Sequence, residues 1–219
     1  MFKNRQHAGI LLAEKLLEKI SEKYRHLPVV VVALPRGGIP VAIETVLLLQ
    51  CPMDILVSKK IPSAGNRELA IGAVTSTGTI IINEELAKLT HSTKEYVEAE
   101  TRRLVPETRL LEEHWLKSAG LHIRPSLRNK LVIIIDDGVA TGMTTLASLK
   151  SVQGQGAHAV ILATPVMAID AISRLQNECT EIVAVATPKE FEAVGNFYMD
   201  FHQVEEPEML QSLKRAAGD

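Results

Sequence analysis

Cysteine is scarce: Cys51 and Cys179 are the only two in 219 residues. Thiols that far apart fit no zinc or redox spacing, and two cannot build a disulfide framework. A reduced, cytoplasmic protein is the expectation. Aromatic residues make up only 4%, so the core must be aliphatic. No apolar run approaches the roughly 18 residues that span a bilayer, so no membrane partner is expected. The opening MFKNRQHAGILLAEKL meets Glu14 and Lys15 before any adequate apolar stretch, so it does not read as a secretory signal. Charge of one sign is also lacking: the formal net charge is −2. That excludes a nucleic-acid binder held by bulk positive charge, and no nucleic acid is expected as a partner. The histidines are scattered without metal-ligand spacing, so no protein-built metal site is expected.

What is there is an ordinary globular composition, 46% hydrophobic and 23% charged. The length suits one domain with additions, at about 150 residues per domain. We expect a single domain over 1–219, with a helical insertion at about 83–122 and a C-terminal segment at about 189–219. Residues His7 to Lys23 carry apolar positions at helical spacing. Val29 to Leu34 is an unbroken β-branched run, the pattern of a strand buried on both faces. A helix is expected from about Pro40 to Leu49 and a second strand from Asp54 to Ser58. Lys59 to Glu68 reads as a loop. Ala70–Val74 and Thr79–Ile82 read as a hairpin, and Asn83 to about Ala119 as one or two charged, exposed helices. Leu131 to Ile135 is the strongest strand, followed by a helix from near Thr144. Strands at Ala159–Ala163 and Glu181–Ala186 flank a helix at Ala168–Leu175. This alternation defines an α/β fold with a mainly parallel sheet flanked by helices.

Ligands of open parallel sheets bind beyond the carboxyl ends of the strands, and two strands here end in unusual loops. The first is DDGVATGMTT, Asp136 to Thr145. Gly138 and Gly142 free the backbone, Thr141, Thr144 and Thr145 offer hydroxyls, and a helix starts at once. Amides at a helix N-terminus suit a phosphate. The paired carboxylates instead suit hydroxyls or a cation. A phosphate cradle beside a diol clamp matches a sugar phosphate. The second loop is Leu34-Pro35-Arg36-Gly37-Gly38-Ile39-Pro40. Its glycines let backbone amides approach an anion, and Arg36 adds a forked cationic donor.

DDGVATGMTT after a hydrophobic strand resembles the phosphoribosyl-pyrophosphate (PRPP) signature of the type I phosphoribosyltransferases, and the Pro-Arg-Gly-Gly turn resembles their pyrophosphate loop. The succession PRGGIPVA, SKKIP, NRELAIGAV, VIIIDDGVATGMTT and FEAVGNFYMDF is similar to a bacterial and archaeal subgroup labelled "predicted phosphoribosyltransferase". The likeness runs from about Arg5 to Leu213. It implies Mg²⁺-dependent transfer of a phosphoribosyl group from PRPP to a nitrogenous acceptor, a nucleobase of the purine-salvage kind, with release of pyrophosphate. It further implies that Asp136 and Asp137 hold the ribose hydroxyls, and that Ala140, Thr141, Gly142, Met143, Thr144 and Thr145 surround the 5′-phosphate, with Gly138 and Val139 leading into that loop. Arg36, Gly37 and Gly38 correspond to the pyrophosphate loop, and the peptide entering Arg36 is often cis in the superfamily. Lys60 corresponds to a basic residue facing the pyrophosphate, and Lys59 is its neighbour. Mg²⁺ would be held mostly by PRPP oxygens and water.

The 6-oxopurine enzymes carry an Asp where Ala140 stands, which argues against hypoxanthine or guanine and turns attention to Glu68 as an acid–base group. Ser63–Leu69 is the lid candidate, and the C-terminal aromatics Phe191, Phe197, Tyr198 and Phe201 form either a hood over the site or a satellite cluster. By analogy with the family, a homodimer is expected. Two other readings share the pocket: a PRPP-sensing regulator without transferase activity, and a hydrolase of nucleotide 5′-phosphates. Gly154-Gln155-Gly156 precedes a strand and does not open a helix, so it reads as a turn and not a dinucleotide fingerprint.

Overall fold

The β-branched runs become the central strands. A computed structural model describes residues 1–217. Strands β1 (Val29–Ala33), β2 (Met53–Ile55), β6 (Leu131–Ile135), β7 (Ala159–Val166) and β8 (Glu181–Ala186) form one sheet in the order β2-β1-β6-β7-β8. Every neighbouring pair in it is parallel. The apolar runs are unbroken because both faces are covered. One face, with Val31, Ala33, Ile133, Ile135 and Ile161, packs on α1 (Arg5–Lys23), α2 (Gly38–Leu49) and α7 (Glu206–Ala217). The other, with Val30, Val132, Ile134 and Leu162, packs on α5 (Met143–Gly154) and α6 (Ile169–Leu175). Residues 218 and 219, the end of the expected C-terminal segment, lie outside the described residues.

The loop expected from Lys59 to Glu68 is corrected. Ser58–Pro62 is a strand, β3, antiparallel to β4 (Ala70–Thr75), which pairs in turn with β5 (Ile80–Ile82). The lysines conceal the pattern, since only the Ile61 side of this short strand is buried in an apolar cluster. The second parallel strand is correspondingly shorter than expected and stops at Ile55. Residues 83–122 hold α3 (Glu84–Leu89) and α4 (Lys94–Ser118). Helix α4 is less exposed than its charges suggest: Thr101, Leu104, Thr108, Glu112, Trp115 and Leu116 are buried along one side. Among the described residues no helix is long and apolar enough to cross a membrane.

A buried charge cluster joins the small sheet and α4 to the edge of the large one. Arg124 donates from Nη1 to Glu112 Oε1 at 2.6 Å, from Nε to Asp54 at 3.0 and 3.1 Å, and from Nη2 to the Ile55 carbonyl at 3.0 Å. Glu112 Oε2 accepts the Val57 amide at 2.8 Å and the Ser76 hydroxyl at 2.5 Å. Burial pushes both acids above the usual carboxylate range, against the pull of Arg124. Arg124 is itself 40% exposed, but removing it strands two acids whose side chains are only 6% and 4% exposed. Arg124→Met is therefore expected to destabilise the fold by about 3 kcal/mol in urea unfolding at neutral pH. The deficit should shrink as pH falls, because Asp54 and Glu112 then take up protons and need no counterion.

Candidate active site

Strands β1 and β6 end level, Ala33 beside Ile135, so their loops leave the sheet at one rim. The Leu34 amide donates to the Ile135 carbonyl at 2.9 Å and locks that register beyond the strands. The chain then turns through a cis Pro35–Arg36 peptide into α2. Gly37 and Gly38 stand where the two loops touch. A Cβ on Gly37 would lie 1.9 Å from Asp137 Oδ2, and one on Gly38 would lie 2.7 Å from the Ile135 carbonyl oxygen. No side chain fits at either place, so the Asp137 carboxylate rests directly on the glycine turn.

The two acids differ in surroundings. Asp136 Oδ1 accepts the Asp137 amide at 2.9 Å. Burial first, and then the charge of Asp137, push the Asp136 carboxyl well above the usual carboxylate range. Asp137 Oδ2 accepts Arg5 Nε at 2.8 Å, and the Asp137 carbonyl accepts the Tyr198 hydroxyl at 2.6 Å. Burial, and then the Asp137 charge, push the Tyr198 phenol up, so it stays a neutral donor. Arg5 also donates from Nη1 to the His202 carbonyl at 2.7 Å and stacks its guanidinium carbon 3.9 Å from the centre of the Phe201 ring.

Past the acids, Val139 bridges to Met167, and Gly142 takes φ +76° as α5 begins at Met143. The first amides of a helix have no acceptor within it. Here they follow the acid pair after the five residues 138–142. Thr145 is buried, Met143 and Thr144 are half-buried, and Ala140 and Thr141 are exposed. Arg174 on α6 donates to the Thr141 carbonyl at 3.2 Å and steadies the outer part of the loop.

Arg5, Arg36, Gly37, Asp137, Phe201, Gln203 and Val204 line a cavity of about 400 Å³. Arg36 Nη1 lies 4.0 Å from Glu205 Oε2. The two loops singled out in the sequence thus meet at Gly37 and Asp137, together with Phe201 of the C-terminal aromatic segment, whereas Asp136, Gly38 and Gly138 to Thr145 are not among the residues lining this cavity. Lys60 is not among the residues lining that cavity. It borders a separate cleft of about 290 Å³ with Lys59, Arg67, Glu68, Arg103 and Glu107, where Lys59 pairs with Glu107 at 3.1 Å. Glu68 is placed there too. Residues 63–69 are closed on themselves, Ser63 amide to Leu69 carbonyl at 2.8 Å and Ser63 hydroxyl to Asn66 carbonyl at 2.8 Å. Sequence reasoning missed Arg5. Its signal is slight: a basic residue just after the Asn4 cap of α1, 132 positions from its partner.

The fold and these loops define a class. The phosphoribosyl transferase domain model matches residues 4–202, and the chain belongs to that family. It is 35% identical over 219 residues to a Mycobacterium tuberculosis protein, from strains H37Rv and CDC 1551, named provisionally as a phosphoribosyl transferase. That match takes in 100% of this chain and 48% of the relative, so the chain spans about half the length of the curated relatives it matches. The solved structure of TT1426 from Thermus thermophilus is 33% identical, with a TM-score of 0.79 over 98% of both chains. The AQ2163 protein of Aquifex aeolicus shares the fold at 13% identity, with a TM-score of 0.51 over 82% of this chain and 73% of that one.

The raised Asp136 carboxyl carries a stability signature. The folded chain holds that proton more tightly than the unfolded one. The stability it contributes is full in acid, below the unfolded value, and is lost as pH rises through the folded value. Asp136→Asn removes that loss. Its melting temperature should exceed that of the parent at neutral pH, and the gap should close below about pH 4.

Proposed function

We propose that this chain transfers a phosphoribosyl group from PRPP to a nitrogenous acceptor, a nucleobase in the manner of purine salvage, and releases pyrophosphate. One observation carries the reading: the Asp137 carboxylate lies on Gly37, in a cavity it shares with Arg36, and its loop runs on through Gly142 into α5 at Met143. A sugar phosphate needs a diol acceptor, a phosphate cradle and an anion-binding turn within a few ångströms of one another.

In this reading Asp136 and Asp137 accept hydrogen bonds from the ribose hydroxyls. Gly138 and Val139 lead into the cradle, and the amides and hydroxyls of Ala140–Thr145 take the 5′-phosphate. Arg36 and the Gly37–Gly38 amides take the pyrophosphate. The bond from the anomeric carbon to the pyrophosphate oxygen breaks, and the electron pair leaves with pyrophosphate. The acceptor nitrogen supplies its lone pair to that carbon and sheds its proton afterwards. Positive charge builds on the ribose between these events, and the Asp137 carboxylate stabilises it. The segment 189–217 borders the site through Phe201, while Phe191, Phe197 and Tyr198 pack with Phe2 as the satellite cluster. The oxygen donors of the acid pair are of the hard kind that suits Mg²⁺. When bound, the ion would neutralise charge on the departing pyrophosphate, carried by pyrophosphate oxygens and water. The role proposed for Lys60 needs its separate cleft to close toward Arg36 once substrate is bound, with residues 63–69 as the lid.

PRPP with Mg²⁺ is expected to raise the melting temperature of the protein, and Gly37→Ala or the double change Asp136→Asn, Asp137→Asn to abolish the shift. Radiolabelled PRPP incubated with a panel of adenine, hypoxanthine, guanine, xanthine, uracil and orotate should yield one labelled nucleotide with equimolar pyrophosphate. No shift, and no dependence on the acid pair, would overturn the reading.

A further inference from the structure

Asp137 presents its two carboxylate oxygens to different surroundings. Oδ2 accepts Arg5 Nε at 2.8 Å. The Asp136 carboxyl beside it shares a hydrogen bond with the Asp137 carboxyl. The main chain of Asp137 is held separately, by the Tyr198 hydroxyl on its carbonyl at 2.6 Å. Arg5 is itself fixed from three sides. Its Nη1 donates to the His202 carbonyl at 2.7 Å, its guanidinium lies on the Phe201 ring, and its side chain is only 10% exposed. A planar fork held at three points has little freedom to follow a wandering carboxylate. The carboxylate is therefore held at Oδ2 by a fixed cation, on the wall of the cavity that Arg36 also lines.

We propose that Arg5 is a positioning residue for the sugar: by gripping Oδ2 it fixes the Asp137 carboxylate at the cavity wall for one hydroxyl of the ribose, and so lets the site tell ribose from a deoxyribose. The proposal rests on the reading of this cavity as a phosphoribosyl site. A hydroxyl donating to an aimed carboxylate makes a charge-assisted hydrogen bond, the stronger kind. Without Arg5 the acid keeps Asp136 beside it, Gly37 beneath it and the Tyr198 phenol on its carbonyl, while Arg36 across the cavity is shared with Glu205. Of these only the Asp136 carboxyl bonds the acid itself, and it is no cation, so the aim of the carboxylate loosens. The 5′-phosphate cradle belongs to another stretch of chain, Ala140–Thr145, and is untouched by the change.

The test compares ribose 5-phosphate with its 2-deoxy and 3-deoxy analogues as competitors of PRPP in equilibrium binding. The parent protein should prefer ribose 5-phosphate over one of the two by about tenfold, the worth of one charge-assisted hydrogen bond. In Arg5→Met that preference should fall to near unity while affinity for the poorer analogue is kept, and Arg5→Lys should restore part of it. A merely structural role would weaken all three sugar phosphates alike; that result, or an unchanged preference, overturns the proposal. Should Arg5→Met fail to melt cooperatively, Arg5→Lys decides: a point charge without the fork should reduce the preference about threefold, and no reduction overturns the proposal. A parent protein that binds none of the three, nor PRPP, instead sinks the phosphoribosyl reading, and the inference falls with it.

Discussion

The pairing of β1 with β6 is the constraint on which the site depends. Both strands are buried on both faces, and Ala33 and Ile135 finish side by side. A slip of two residues would keep every side chain on its proper face and yet move one loop by about 6.6 Å relative to the other. The Leu34–Ile135 hydrogen bond beyond the strands opposes such a slip, and the contact between Gly37 and Asp137 tolerates none. An aliphatic core and two loop glycines thus set the separation of a carboxylate and a guanidinium that never meet in sequence.

The molecule handles buried acid in the same way at two places. At the seam between the sheets, Arg124 holds Asp54 and Glu112, whose side chains are 6% and 4% exposed. At the rim, Arg5 holds Asp137 while Asp136 sits beside them. At the seam the carboxylate oxygens are all taken, by the guanidinium, by the amides of Ile55 and Val57 and by a hydroxyl. At the rim a single cation holds Asp137, at Oδ2. Saturation suits a joint, and an acid on a cavity wall suits a place where something else must bind.

Most of the large sheet could be read directly from the sequence, because a strand covered on both faces must be apolar without interruption. That the loops Asp136–Thr145 and Arg36–Gly38 share one rim was equally legible, since both leave parallel strands at their carboxyl ends. Strand β3 was hidden because Lys59 and Lys60 interrupt its apolar alternation, and α7 because only a narrow stripe including Met209 and Leu213 is buried. Arg5 could not be found at all. Its meaning lies in a contact with residue 137 and another with residue 202, and no local pattern encodes a pairing over such distances. The separation of Lys60 from the Arg36 cavity was invisible for the same reason: order along the chain does not say which wall of a cleft a strand will line.

The wall of the cavity is woven from distant parts of the chain. The Phe2 amide donates to the Phe197 carbonyl, the Met199 amide returns a bond to Phe2, and the Phe2 and Tyr198 rings pack 5.2 Å apart. Arg5 precedes His202, whose carbonyl helps to seat its guanidinium, by 197 positions. The strands of the central sheet need none of these contacts to pair, whereas contacts of such long range are slow to form.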